Sequence, residues 1–221
     1  YLRIAEGCDN RCAYCVIPNL RGRFRSRPME NILAEARSLA EIGVKELIVV
    51  AQDTTRYGTD LYGERKLSEL VRRLCAIEGI KWVRLHYLYP DEIDDELIDA
   101  VAAEEKVVKY LDIPIQHIND KILKRMNRRG SGEEIRRLFK KLRERIPGVV
   151  LRTSIITGLP GEGEAEFEEL ANFLRETKIE RGGIFTYSPE EGTKAAEMPD
   201  IPPREVAERR AELLTDIQSR I

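Results

Sequence analysis

The sequence predicts an α/β fold, an open and partial (β/α)6 barrel of TIM-like type. Six apolar, strand-like runs alternate with amphipathic helical stretches in units of roughly 30 to 40 residues. No glycine-rich dinucleotide fingerprint follows a strand, which favours a barrel over a doubly wound sheet, although periodicity alone separates the two poorly. Each apolar run passes into a polar loop, and in parallel α/β folds such loops gather at one mouth. A chain of 221 residues, 42% apolar and 34% charged, is long enough for one substantial core. No run approaches the length of a membrane span. The formal net charge of -2 gives no global reason to bind nucleic acid. No signal peptide precedes Tyr1, and an abrupt start in a strand without an initiator Met leads us to expect an internal piece of a longer protein.

The first strand is Leu2 to Ala5, and it runs into Gly7-Cys8-Asp9-Asn10-Arg11-Cys12-Ala13-Tyr14-Cys15. Four arginines then alternate through Arg21-Gly22-Arg23-Phe24-Arg25-Ser26-Arg27, either to meet a phosphate or acidic partner or as a solvated loop. Pro28 opens a helix carrying Ile32, Leu33, Ala36, Leu39 and Ala40 on one side, and Gly43 ends it. Val44 to Ala51 reads as a buried parallel strand. It leads into the polar loop Gln52-Asp53-Thr54-Thr55. A helix over Lys66 to Ile77 has the stripe Leu67, Leu70, Val71, Leu74, with Cys75 beside it as a small core residue.

Lys81 to Leu85 is the third strand, ending at His86-Tyr87, and a helix through Leu97, Ile98 and Val101 follows. Val107 to Ile113 is the fourth, ending in Pro114-Ile115-Gln116-His117 before helical material at Asp120 to Met126. Ser131 and Glu134 form a capping-box pattern that starts a charged helix ending near Ile146. The fifth strand, Val149 to Ile156, meets Thr157-Gly158-Leu159-Pro160-Gly161-Glu162. Glu162, Glu164 and Glu166 suit the N-terminus of the next helix, which turns Phe167, Leu170, Phe173 and Leu174 inward. Gly183 to Thr186 is the sixth strand. We place the barrel at residues 1–200 and treat 201–221 as a C-terminal helix that closes its open side or links to a further domain.

The cysteine loop carries the chemistry. Cys8, Cys12 and Cys15 have the spacing C-x3-C-x2-C, and closely spaced thiolates suit iron–sulfur clusters or zinc. Three thiolates on a four-iron cubane leave one iron open, whereas a closed zinc site needs a fourth ligand, for which only the sequence-distant His86 or His117, brought back by the fold, would serve. Unpaired cysteines of this spacing also fit a reducing compartment.

With aromatic Tyr14 just before the third cysteine, the loop resembles the signature of radical S-adenosylmethionine enzymes. That resemblance implies a [4Fe–4S] cluster whose open iron is chelated by the cofactor, and a 5'-deoxyadenosyl radical that abstracts hydrogen from the substrate. Within that superfamily the chain resembles the radical domain of methylthiotransferases, through Arg21, Gly22, Arg25, Ser26 and Arg27 and through Pro114, Gln116 and His117. Gln52-Asp53-Thr54-Thr55 and Tyr187-Ser188-Pro189-Glu190-Glu191-Gly192-Thr193 look like the RimO branch, which modifies the β-carbon of an aspartate in small-subunit ribosomal protein S-twelve (uS12). Gly163 departs from the threonine frequent in the family, which takes away a helix-capping side chain.

The resemblance implies roles for particular residues. Cys8, Cys12 and Cys15 would hold the cluster. Tyr14 would pack near the adenine, and Gln52, Asp53, Ser154, Thr157 and Gly158 would form cofactor contacts. His117, Glu190 and Glu191 would face the substrate, the glutamates disfavouring a phosphate backbone so that no nucleic acid is a direct substrate. It also implies an N-terminal domain with a second [4Fe–4S] cluster, a C-terminal TRAM domain, a donor such as flavodoxin or ferredoxin, and a cytoplasmic location without membrane attachment. The enzyme alternative is a transfer-RNA isopentenyladenosine methylthiotransferase. The non-enzyme alternative is a ribosome- or RNA-binding domain with a structural cluster.

Overall fold

The order of strands across the main sheet is their order along the chain. In the computed structural model, which describes residues 1–221, the path begins with β1 (Leu2–Arg3), β2 (Ala5–Glu6), α1 (Ile17–Arg21) and β3 (Arg25–Ser26). It continues through α2 (Met29–Glu41), β4 (Glu46–Val50), α3 (Leu67–Cys75), β5 (Trp82–Leu85) and α4 (Asp95–Ala103). Then come β6 (Val107–Asp112), α5 (Asp120–Arg125), α6 (Gly132–Arg145), β7 (Val150–Thr157), α7 (Glu164–Thr177), β8 (Arg181–Thr186) and α8 (Arg204–Ser219). β1, β4, β5, β6, β7 and β8 lie side by side in that order, every pair parallel. A doubly wound sheet reverses its order at a switch point; this one never does. The first and last strands do not pair, so the barrel stays open.

The two faces of the sheet differ in chemistry. Along β7, Leu151, Thr153 and Ile155 are buried on the face that packs against helices, while Arg152 and Ser154 lie on the other. Leu47, Val49, Val83, Leu85 and Leu111 join the first set in a continuous apolar core with Leu33, Leu70, Ile98, Phe139 and Leu170 from the helices. The inner face instead carries Glu46, Arg84, Asp112 and Arg152 in ion pairs: Arg84 Nε donates to Glu46 (2.6 Å) and Arg152 Nη1 to Asp112 (2.8 Å). The side of the sheet that lines the lumen therefore carries ion pairs among its apolar residues.

One local expectation needs correcting. The strand Leu2 to Ala5 is two short strands, because Ala5–Glu6 leaves the main sheet to pair antiparallel with Arg25–Ser26. That pairing folds the arginine-rich run back onto the N-terminus, where Arg27 donates to Arg3 O (2.6 Å) and pairs with Glu35 (2.6 Å). α8 packs on α7, β7 and β8 and buries Leu214 in the main core. The capping box at Ser131 and Glu134 forms as expected. Gly163 keeps half of such a box, its N–H donating to Glu166 Oε2 (2.9 Å). Cys75 is a buried core residue, as expected.

Candidate functional site

The cysteine loop is held in place by hydrogen bonds from three directions. Ala13 N donates to Met126 O (2.9 Å), and Ala195 N donates to Ala13 O (2.9 Å). Asn10 Nδ2 donates to Asp53 Oδ2 (2.8 Å), linking the loop to the end of β4. Cys8, Cys12 and Cys15 are half-buried, unpaired thiols around one cavity of about 410 Å³. The three thiols line the same cavity, near enough that Cys12 and Cys15 act electrostatically on Cys8, and no further His, Cys, Asp or Glu joins them in a single-ion site. This arrangement suits a multi-iron centre, in which each thiolate holds a different iron, better than a tetrahedral zinc. Burial pushes the Cys8 thiol up to about 11 and raises Cys15 as well, so taking up metal there must displace protons.

The rest of the cavity wall comes from strand ends. Ala51 and Gln52 follow β4, Tyr87, Leu88 and Tyr89 follow β5, Pro114 and Gln116 follow β6, and Ser154 lies on β7. A second cavity of about 290 Å³ shares Tyr14, Gln116 and Ser154 with the first and adds Phe185, Thr186, Tyr187 and Ser188 from the end of β8. Together the two make a mouth running from the cysteines toward the open edge of the barrel.

Arg128 is the residue that sequence reasoning missed. It is buried, and its guanidinium donates to Tyr14 Oη (3.1 Å), Pro114 O (2.7 Å) and Cys12 Sγ (3.7 Å) while lying 4.5 Å from the Tyr89 ring. Burial opposes its charge, and Tyr14, Tyr89 and Cys12 outweigh that effect and keep it protonated. None of these partners is a carboxylate. A buried guanidinium on a cavity wall that makes no ion pair has charge and donors to offer an anion. In the sequence it is one of two adjacent arginines, Arg128-Arg129, and no local pattern sets it apart.

The predicted site residues separate into those that line the mouth and those that support it. Tyr14, Gln52 and Ser154 line it. Asp53 does not: it is buried, its pKa raised by burial, and it accepts from Asn10 and from the N–H and hydroxyl of Thr55. Its work is to anchor the cysteine loop. Thr157 is buried too and donates to Ala207 O (3.0 Å) on α8, away from the cavity. Gly158 is also turned outward, where a Cβ would meet Ala207 Cβ at 2.5 Å. His117 is 1% exposed, accepts from Asn119 N (3.0 Å) through Nδ1 and faces Glu162 at 3.5 Å through Nε2. That places it between two loops behind the barrel, not on the substrate side. Glu190 and Glu191 are exposed on the loop after β8.

The sequence pattern of the Radical SAM superfamily matches residues 2–174. The chain is 55% identical over all 221 residues to a protein of Lachnoclostridium phytofermentans named ribosomal protein uS12 methylthiotransferase RimO. It is 58% identical over the same 221 residues to the protein of that name from Pelotomaculum thermopropionicum. It covers 50% of each, so the chain spans about half the length of these curated relatives. Among solved structures, the radical S-adenosylmethionine methyltransferase TsrM of Kitasatospora setae superposes with a TM-score of 0.72 at 18% identity, over 88% of this chain and 38% of that one. Coproporphyrinogen III oxidase (HemN) of Escherichia coli gives 0.67 at 18% identity, over 97% and 51%. At such identity the structures speak for the fold alone, an open barrel of the same kind.

Proposed function

Because this chain belongs to the radical SAM superfamily, we propose that it is the catalytic barrel of a methylthiotransferase of the RimO type. Its substrate in the whole protein is an aspartate of ribosomal protein uS12. The observation that carries the reading is the mouth itself: three unpaired thiols, a buried cation and polar strand ends around one cavity. The curated relatives supply the substrate.

The residues present fit a [4Fe–4S] cluster and S-adenosylmethionine. Cys8, Cys12 and Cys15 would hold three irons, and Arg128 would take the methionine carboxylate with charge-assisted hydrogen bonds. Gln52 and Ser154 offer polar contacts to the rest of the cofactor, and Tyr14 a ring for its adenine. When bound, these groups supply a one-electron cleavage that yields a hydrogen-abstracting radical. This chain's own residues orient the cofactor and keep water from the reacting carbon, through the apolar wall of Ile17, Leu88 and Ile156.

The relatives' extra length leaves room for an N-terminal domain with a second cluster and a TRAM domain. An electron donor such as flavodoxin or ferredoxin in the cytoplasm fits the same reading. No helix is long and apolar enough to cross a membrane. The exposed Glu190 and Glu191 beside the mouth favour a protein substrate, since carboxylates repel phosphates. The test is anaerobic incubation of the full-length enzyme with uS12 and, separately, with isopentenyladenosine-containing transfer RNA, read by mass spectrometry. We expect a methylthio group on the protein aspartate. Incorporation into the RNA alone would replace this reading with the RNA-directed one.

A further inference from the structure

Below the mouth, the inner face of the sheet carries two guanidinium groups that the cofactor reading does not use. Arg84 on β5 donates only through Nε, to Glu46, and its guanidinium lies 5.3 Å from the Tyr110 ring. Arg152 on β7 donates only through Nη1, to Asp112 Oδ1 (2.8 Å) and to Ser154 Oγ (2.8 Å). Ser154 lines both cavities, so Arg152 stands one side chain beneath the place where they join. Each side chain is about a quarter exposed to the lumen, 27% for Arg84 and 25% for Arg152.

The free edge of Arg152 lies beside a residue that has no side chain to cover it. Gly183 sits opposite on β8, paired in register with Ser154. A Cβ at Gly183 would stand 3.1 Å from Arg152 Nη2 and 3.1 Å from the Phe185 ring, so a larger residue would crowd both. Phe185 is 52% exposed and forms a wall of the second cavity, on the open side of the barrel. Arg152 Nε and Nη2 thus remain available beside a gap with an aromatic wall.

Charge on this face is already matched. Glu46 and Asp112 balance Arg84 and Arg152, and burial lowers the pKa of His86, which lies 3.9 Å from Asp112. What is left over is donor capacity with no acceptor. A guanidinium edge consists only of donors. A carboxylate answers it with two acceptors, whereas a carboxamide turns its own NH2 against one of the N–H groups. An edge of this kind therefore distinguishes aspartate from asparagine, two side chains of nearly the same shape.

We propose that Arg152 determines substrate specificity by binding the side-chain carboxylate of the target aspartate through its Nε–Nη2 edge. Phe185 packs against the adjoining peptide, and Gly183, having no side chain, leaves the guanidinium edge uncovered. The proposal rests on the protein-aspartate reading above and names the group that selects that substrate. The bound carboxylate fixes the aspartate by its end, which leaves its β-carbon directed up toward the cavity lined by the cysteines.

The experiment uses the full-length enzyme with two forms of the substrate protein, carrying aspartate or asparagine at the target position. kcat and KM are measured for wild type, Arg152→Gln and Arg152→Lys. Wild type is expected to prefer aspartate in kcat/KM by about 10- to 100-fold, the scale of a charge-assisted hydrogen-bonded pair. In Arg152→Gln that preference should fall to near unity, with the loss mostly in KM for the aspartate form. Arg152→Lys should keep part of it, since a point charge lacks the fork. Iron content and thermal melting identify a variant that fails to fold, and the lysine variant then carries the comparison. An aspartate preference unchanged in a folded Arg152 variant, with wild type active on the protein, overturns this proposal alone. A wild type that modifies only transfer RNA overturns the substrate reading and the proposal with it.

Discussion

Replacing Arg128 by Met removes the one buried cation of the mouth while keeping most of the side chain's bulk. On the geometry above, its guanidinium reaches Tyr14, Pro114 and Cys12 and is stacked on Tyr89. Two effects on the empty protein oppose each other. The substitution strands Pro114 O and Tyr14 Oη without a donor, costing about 1–3 kcal/mol for each group left unsatisfied. It also relieves a buried charge with no acidic partner, a penalty of several kcal/mol before compensation. The melting temperature should therefore move by only a few degrees, since about 1 kcal/mol corresponds to roughly 2–4 °C in a chain of this size. Binding of S-adenosylmethionine has no such cancellation. Losing a charge-assisted bond to the carboxylate costs about 1.5–3 kcal/mol, a roughly 10- to 150-fold rise in Kd. The assay is equilibrium binding to reconstituted protein of known iron content, with melting measured alongside. An affinity within about threefold of wild type, at equal iron content, would falsify the assignment of Arg128 as the anion-binding group.

Four further outcomes follow from the same geometry. Burial holds the Cys8 thiol up to about 11, above its value in an unfolded chain, so its contribution to the stability of the metal-free protein is present below about pH 9 and lost between about pH 9 and 11. Chemical denaturation across that range should show a steeper fall for wild type than for Cys8→Ala. Thr157→Val loses its bond to Ala207 O and should cost about 1 kcal/mol of stability with cofactor affinity unchanged. Ser154→Ala, on the cavity wall, should show weaker cofactor binding in the same titration. Gly158→Ala places a methyl group 2.5 Å from Ala207 Cβ at a φ of +77°, and a loss of about 2 kcal/mol or more in a melting or denaturant series is expected.

The periodicities identified the strands because a parallel sheet packed on helices must keep an apolar outer face, as Leu47, Val49, Leu111 and Leu151 do. They were silent on the inner face: Arg84, Asp112 and Arg152 interrupt apolar runs in a way that looks like noise until the barrel curves them together. The cysteine spacing was legible because all three cysteines come from one loop. Arg128 was not, because its partners Cys12, Tyr14, Tyr89 and Pro114 come from three other segments. Asp53, Thr157 and His117 sit away from the cavity wall for one shared reason. A polar residue beside a strand end faces either the mouth or the layer behind it, and a shift of one position in the strand's alternation decides which. Ser154 and Thr157 differ in this way, three residues apart on one strand.

The unpaired edges of β1 and β8 bear on how a bulky partner is served. A fully closed cylinder admits only what fits down its axis, so its target must be small or detached. Here the wall has a slot along one side, with Phe185 and Ser188 at its margin. A single residue on a projecting loop can enter sideways while the body that carries it stays outside. Access is then governed by how far the loop protrudes rather than by the mass behind it, and a residue on the surface of a large assembled particle is as reachable as one on a free peptide.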